Sequence, residues 1–366
     1  MGSAAAYHLA HRGMRVIGFD RFAPPHTFGS SHGKTRIIRE AYFENPAYVP
    51  LVQRAYQLWS ELESRARTTL LLKTGGLMIG LPDSELVAGA RLSAERHALE
   101  HEILSSAEVT RRFPCLNPQA DMIAVYEPRA GILFAEACLS AHLALAQSHG
   151  AQIHDHEPLL RWRADSRGVS VATERATYRA EWLVISAGSW AAQLLADLEP
   201  PLTVERQVQF WFDPIGPRAS FSATRCPVHL WQFDDRQFFY GFPDLGEGVK
   251  VARHHRGICG SLDSLSREVD AEEIADMRSL VGRFLPNADG ALRSAAVCQY
   301  TNTPDGHFWI DRHPAHANVL IASACCGHGF KFASVVGEIL ADLATHRNVS
   351  FDLSLFGNRW PLRAGR

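Results

Sequence analysis

The residues best equipped for chemistry fall in three short stretches. The first, Gly29-Ser30-Ser31-His32-Gly33-Lys34-Thr35-Arg36-Ile37-Ile38-Arg39, packs glycine, small polar groups and cations into a loop that runs into an apolar stretch. Arg36 and Arg39 stand three apart, and a planar guanidinium fork suits a carboxylate or an electron-rich ring. A solvated basic loop accounts for the same residues. The second stretch, Cys325-Cys326-Gly327-His328-Gly329-Phe330-Lys331-Phe332, joins a buried strand to a helix. Gly327 and Gly329 let backbone approach a planar ring system, and the helix start offers unpaired N–H groups with roughly half a positive charge, which suits the pyrimidine end of a reduced flavin. An ordinary glycine-bearing strand-to-helix turn also fits. The third, Val297-Cys298-Gln299-Tyr300-Thr301, puts Cys298 in a strand, where a lone cysteine is usually an inert core residue.

Positioning these groups requires a scaffold, and its clearest trace is at the start of the chain. Gly2 to Ala10 reads as a small-residue helix, followed by a turn at Gly13 and a strand Val16 to Asp20 that ends in an acid. This is the second half of a Rossmann unit, with Gly2 where the last glycine of Gly-x-Gly-x-x-Gly belongs and Asp20 where an acid meets a ribose hydroxyl. The first strand of that unit and its first two glycines are therefore expected to lie outside this sequence. Asn45 to Leu62 has helical spacing of apolar residues, and Ala135 to His149 is a second helix stopped by Gly150 and feeding a strand over 151–156. A strand over 183–187 opens at Gly188 into a helix expected from Ser189 to Leu198. Between about 204 and 303 the character changes to strand-like runs, Val204 to Phe212, Gln237 to Phe242 and Val249 to His254, with one amphipathic helix from Asp270 to Phe284. Asn318 to Ala324 and Phe330 to Thr345 then return to strand-and-helix logic. The pattern predicts α/β plus antiparallel β, with two interleaved domains.

Composition excludes several classes. The chain has 366 residues, 46% hydrophobic and 21% charged, with a net charge of -2. That gives neither a general basic surface for nucleic acid nor a strong acidic field. No signal peptide and no apolar run of membrane-spanning length is read. The seven cysteines lack paired metal spacing, so no metal site is expected and free thiols in the cytoplasm are the default.

Taken in order and spacing, Gly-Ser-x-His-Gly-x-Thr-Arg-Ile-Ile-Arg, Tyr-Val-Pro-Leu, Tyr-Gly-Phe-Pro, Val-Cys-x-Tyr-Thr and Gly-His-Gly-Phe-Lys-Phe resemble the monomeric sarcosine oxidase and N-methyltryptophan oxidase family, from residue 2 to about 357. The resemblance implies a glutathione-reductase-like FAD-binding domain assembled from 1–74, 134–203 and 304–346. It implies a mostly antiparallel substrate domain from 75–133, 204–303 and 347–366. Carried over by position, it makes Cys298 the site of a covalent thioether to FAD and puts Gly2, Asp20, His32, Arg36, Gly188, Gly327 and Gly329 around the cofactor. Arg39 and Lys331 match the pair that grips the substrate carboxylate. Tyr240, His254 and Tyr300 match residues around the amine and methyl group, and Lys250 matches a lysine that assists oxygen reduction. The activity implied is oxidation of an N-methyl amino acid to an imine, hydrolysed to an aldehyde and the demethylated amino acid, with oxygen reduced to hydrogen peroxide. The partners implied are a small amine and oxygen, acting on a monomer.

This chain departs from the family pattern at two loop positions, Ser31 for a histidine and Lys34 for an aspartate, which predicts altered charge beside the flavin. Trp231 and Phe233, before Tyr240, predict a reshaped substrate pocket. Two rival readings stand beside the oxidase: a flavin dehydrogenase that uses another acceptor, and an inactive flavoprotein homologue without its first Rossmann strand.

Overall fold

The computed structural model describes residues 1–255, 257–262 and 264–360. Its parallel elements follow from the small-residue helices that cover them. Helix Gly2–His11 buries Ala4, Ala5, Ala6 and Ala10 against helices Ala135–Ser148 and Ala333–Ala344. The approach is close enough that a Cβ on Gly337 would meet that of Ala4 at 2.5 Å. Strand Ile17–Phe19 pairs in parallel with Gln152–His154, and Leu183–Ile185 pairs in parallel with His316–Ser323. Among the described residues these two pairs are not joined, and they face each other across a cavity of about 1080 Å³.

The second region is a nine-stranded sheet in which only Val228–Asp234 with Gly76–Gly80 pairs in parallel. Its spine is Thr203–Phe212, antiparallel to both Leu292–Asn302 and Val249–His254. Nearly every residue of the spine is buried, because Val208, Phe210 and Phe212 pack with Met277, Leu280 and Phe284 of helix Ala271–Phe284 on one face, and Gln209 on the other lines the cavity. That helix starts at a capping box in which Asp270 accepts from the Glu273 amide and the Glu273 carboxylate accepts from the Asp270 amide. Its Phe284 closes the core over the stacked rings of Trp231 and Phe239. A separate three-stranded sheet carries Thr35–Ile38 beside Gly131–Phe134 and brings the cation-rich loop to the cavity wall.

Two helices are shorter than their sequence pattern predicts. The segment after Gly188 makes a 3-10 turn, Gly188–Trp190, and one α-helical turn, Ala191–Leu194, before the Pro200-Pro201 pair takes the chain away. The segment after Gly329 opens with a 3-10 turn, Phe330–Phe332, and becomes α-helical at Ala333. All seven cysteines are free, and no helix of the described residues is long and apolar enough to cross a membrane.

Candidate active site

The cavity runs from the partly exposed Asp20 at the end of the first strand to a buried cluster of cations. At the first end, helix Gly2–His11 presents its N-terminus without a side-chain cap, so its first amides are free to meet an anion. The Asp20 carboxylate accepts the Phe22 amide at 2.9 Å and remains partly exposed on the cavity wall. Gly188 has φ 53 and nothing within 4 Å of a Cβ position, so only a residue without a side chain leaves that space open. Ser189 Oγ, Ser323 Oγ and Gln209 Oε1 are buried without partners, and all three residues line the cavity. Unpaired buried polar atoms call for a polar ligand. A long cavity with a free helix N-terminus, an acid at the strand end and orphaned donors and acceptors fits FAD.

Midway, Arg36 is fixed by its own loop. Its guanidinium donates to Thr35 O at 2.7 Å and Ser30 O at 2.6 Å, and lies 3.8 Å from Cys298 Sγ. Burial pushes the Cys298 thiol up from its usual range, while Arg36 acts in the opposite sense. His32 is buried beside this loop with Nε2 unpartnered. Burial and then Arg36 lower its pKa to about 4, and the residue is not part of the cavity lining. Gly327 has φ 72, and a Cβ there would strike the Tyr300 ring at 2.5 Å and the His254 ring at 2.8 Å. At Gly329 a Cβ would run into Ala324 O. Both glycines are therefore required by the packing of this turn.

At the far end, Tyr240, His254 and Tyr300 line the wall, with His254 Nδ1 at 3.3 Å from Tyr300 Oη. Burial pushes the Tyr240 hydroxyl up to about 12 and holds His254 well below its usual range, so both are neutral at pH 7. Arg39 donates to Ala41 O at 2.8 Å and to both carboxylate oxygens of Glu44 at 2.9 and 2.8 Å. Burial opposes ionisation of Glu44, but the Arg39 guanidinium overrides it and the carboxyl titrates below its usual range. Lys331 Nζ donates to His328 O at 2.7 Å and to Tyr42 Oη at 3.4 Å. Burial, then Arg39, lowers its pKa to about 7. Lys250 lies behind the wall, with Nζ donating to Gly33 O at 2.6 Å, Thr35 O at 2.9 Å and Thr35 Oγ1 at 3.1 Å.

Two sequence-based expectations are corrected here. Trp231 and Phe233 do not reshape the pocket: alternation along the strand turns them into the core with Phe239 and Phe284, and Leu230 is the residue of that strand facing the cavity. Lys34 does not change the charge at the cavity wall, because its exposed ammonium pairs with Glu247. Ser31 does line the cavity. Sequence reasoning also passed over Glu44, whose two carboxylate oxygens both accept from Arg39 Nη2. Its only local signal is an acid in the loop between Arg39 and the following helix.

A flavin-sized cavity with a thiol under a guanidinium at its middle and two cations at its end defines a flavin-dependent oxidoreductase site. The model for the FAD dependent oxidoreductase family matches residues 1–343, and this chain belongs to that family. Its relatives include monomeric sarcosine oxidase of Streptomyces avermitilis, 45% identical over 98% of this chain and 94% of that protein. N-methyl-L-tryptophan oxidase of Salmonella typhimurium is 34% identical over 97% of this chain and 95% of that protein. Among solved structures, the amino acid oxidase NikD superposes with a TM-score of 0.84 at 23% identity, covering 97% of this chain and 94% of NikD. Glycine oxidase from Geobacillus kaustophilus gives 0.82 at 21%, covering 97% and 95%. These two show the shared fold.

Proposed function

We propose that this protein oxidises an N-methyl amino acid, with FAD held covalently through Cys298 and oxygen as the electron acceptor. The observation that carries the reading is one cavity holding a thiol beside Arg36 and, at its end, the buried cations Arg39 and Lys331. Bound FAD would accept two electrons from the substrate and pass them to oxygen. The net change is a secondary N-methyl amine plus oxygen and water giving the demethylated amine, formaldehyde and hydrogen peroxide.

The protein's own groups have separate tasks in this reading. Gly2, Asp20 and Gly188 hold the dinucleotide, and Gly327 and Gly329 keep the strand-to-helix turn close to the ring system. His32 supports the loop behind it. Arg36 stabilises the Cys298 thiolate that forms the link. Arg39 and Lys331 grip the substrate carboxylate once Glu44 releases Arg39 Nη2, and such anchoring can supply several kcal/mol of barrier lowering through positioning. Tyr240, His254 and Tyr300, all neutral, surround the amine. Lys250 supplies a fixed positive charge for oxygen reduction. An extended segment laid between the free edges of Ile17–Phe19 and Leu183–Ile185 would join the two parallel pairs as the first strand of the dinucleotide unit. We further propose a monomer in the cytoplasm, built from the two interleaved domains given above.

Oxygen uptake and peroxide release test the reading with sarcosine and larger N-methyl amino acids. Stoichiometric peroxide and aldehyde are expected. Flavin reduction by these substrates without oxygen uptake would instead mark a dehydrogenase, and no reduction by any of them would contradict the substrate class.

A further inference from the structure

The two cations at the end of the cavity share one neighbour that does not itself reach the cavity. Tyr42 is fully buried, with Arg39 Cζ at 4.4 Å and Lys331 Nζ at 5.2 Å from its ring centroid. The Arg39 charge disfavours the Lys331 ammonium, and an aromatic ring in contact with both cations offsets part of that cost. The ring is held in turn by Tyr48 at 4.8 Å and Phe332 at 5.2 Å, and Ser93 Oγ donates to the Tyr42 carbonyl.

The hydroxyl belongs to a chain whose direction is determined. His328 Nε2 lies 3.1 Å from Gly306 O, which can only accept, so Nε2 carries the proton and Nδ1 is left as an acceptor. Burial lowers the His328 pKa to about 3, so the ring is neutral at pH 7 and has this single proton. Tyr42 Oη, 2.6 Å from Nδ1, must then donate to it, which turns the oxygen lone pairs toward Lys331 Nζ at 3.4 Å. With a second N–H on His328 O, one N–H of Lys331 is left for the cavity.

We infer that Tyr42 is a positioning residue for the carboxylate grip, its ring carrying both cations and its hydroxyl aiming the free N–H of Lys331. This rests on the carboxylate reading above, and the test separates the two. Methoxyacetate has the shape of an N-methyl amino acid without an oxidisable amine, and methoxyacetamide is its neutral counterpart. Calorimetry on the flavin-loaded protein gives both dissociation constants for wild type, Tyr42→Phe and Tyr42→Leu, with a thermal melt to check the fold.

Wild type is expected to prefer the anion. Tyr42→Phe keeps the ring but frees Lys331, and should weaken methoxyacetate about tenfold while leaving the amide within about twofold. Tyr42→Leu should weaken the anion a further few-fold through loss of the aromatic face. Tyr42→Phe is nearly isosteric and decides the matter if Tyr42→Leu does not fold. Equal weakening of anion and amide would assign Tyr42 a merely structural role and overturn the inference. So would unchanged anion affinity in Tyr42→Phe beside a wild type that prefers the anion. A wild type with no preference would remove the carboxylate reading itself, and this inference with it.

Discussion

Lys250 and Lys331 are both buried lysines of the same site, yet their hydrogen bonds leave them with different capacities. Lys250 spends all three N–H groups on Gly33 and Thr35 and stands outside the cavity lining. Lys331 spends two, on His328 and Tyr42, and faces the cavity. Burial and then Arg36 push the titration of Lys250 well below the usual lysine range, while three acceptors around one nitrogen are what an ammonium with three hydrogens requires. The same contrast holds for the arginines. Arg36 is committed to its own loop and the Cys298 thiol, whereas Nη2 of Arg39 is taken by Glu44, a side chain that a ligand carboxylate can replace in kind. One region therefore offers fixed charge and the other exchangeable hydrogen bonds. Fixed charge suits a task in which charge develops nearby, and exchangeable bonds suit binding.

The largest expected effect concerns the committed region. Wild-type protein loaded with FAD should give a yellow pellet after acid precipitation, and Cys298→Ala a colourless pellet with all its FAD in the supernatant. A colourless wild-type pellet would remove the covalent link and leave Arg36 guarding an inert thiol. The smaller effect concerns the exchangeable region. The Lys331 ammonium is the form that donates to a carboxylate, and its pKa in the free protein is about 7. Methoxyacetate should therefore bind tightest below that pH and weaken about tenfold as the pH rises through it, leaving Arg39 as the remaining cation. The groups facing Lys331 are Arg39, Glu44, Tyr42, His328 and His254, the last held well below its usual range by burial. Glu44 titrates below its usual range and His328 at about 3, so neither changes charge in this window. Lys331→Met should flatten the profile, and a profile unaltered by that change would assign the transition elsewhere.

Much of this site was legible in the chain because its parts are local. Glycine turns such as Gly327 and Gly329, the Arg36 to Arg39 stretch and the Cys298 strand each carry their signal within a dozen residues. What escaped was tertiary. Glu44 bound to Arg39 Nη2 leaves no periodic trace, and the Tyr42–His328 bond joins residues 286 apart. The pocket wall was misread at Trp231 because strand alternation places Leu230, one residue earlier, on the cavity side, and a shift of one residue exchanges faces. At Lys34 the residue type alone predicts a change of active-site charge, but the backbone there is left-handed, φ 69, and the side chain pairs outward with Glu247.

The most direct test of the contrast is to time the two half-reactions separately by stopped flow in Lys250→Met and Lys331→Met. If Lys250 supplies fixed charge to oxygen chemistry, Lys250→Met keeps anaerobic flavin reduction within a few-fold of wild type and slows reoxidation about 100-fold, the scale for removing one preorganised charge partner. Lys331→Met should do the reverse, raising the substrate concentration needed for reduction while leaving reoxidation unchanged. Unchanged reoxidation in Lys250→Met, with reduction slowed instead, would place Lys250 in the substrate grip and contradict the division between the two regions.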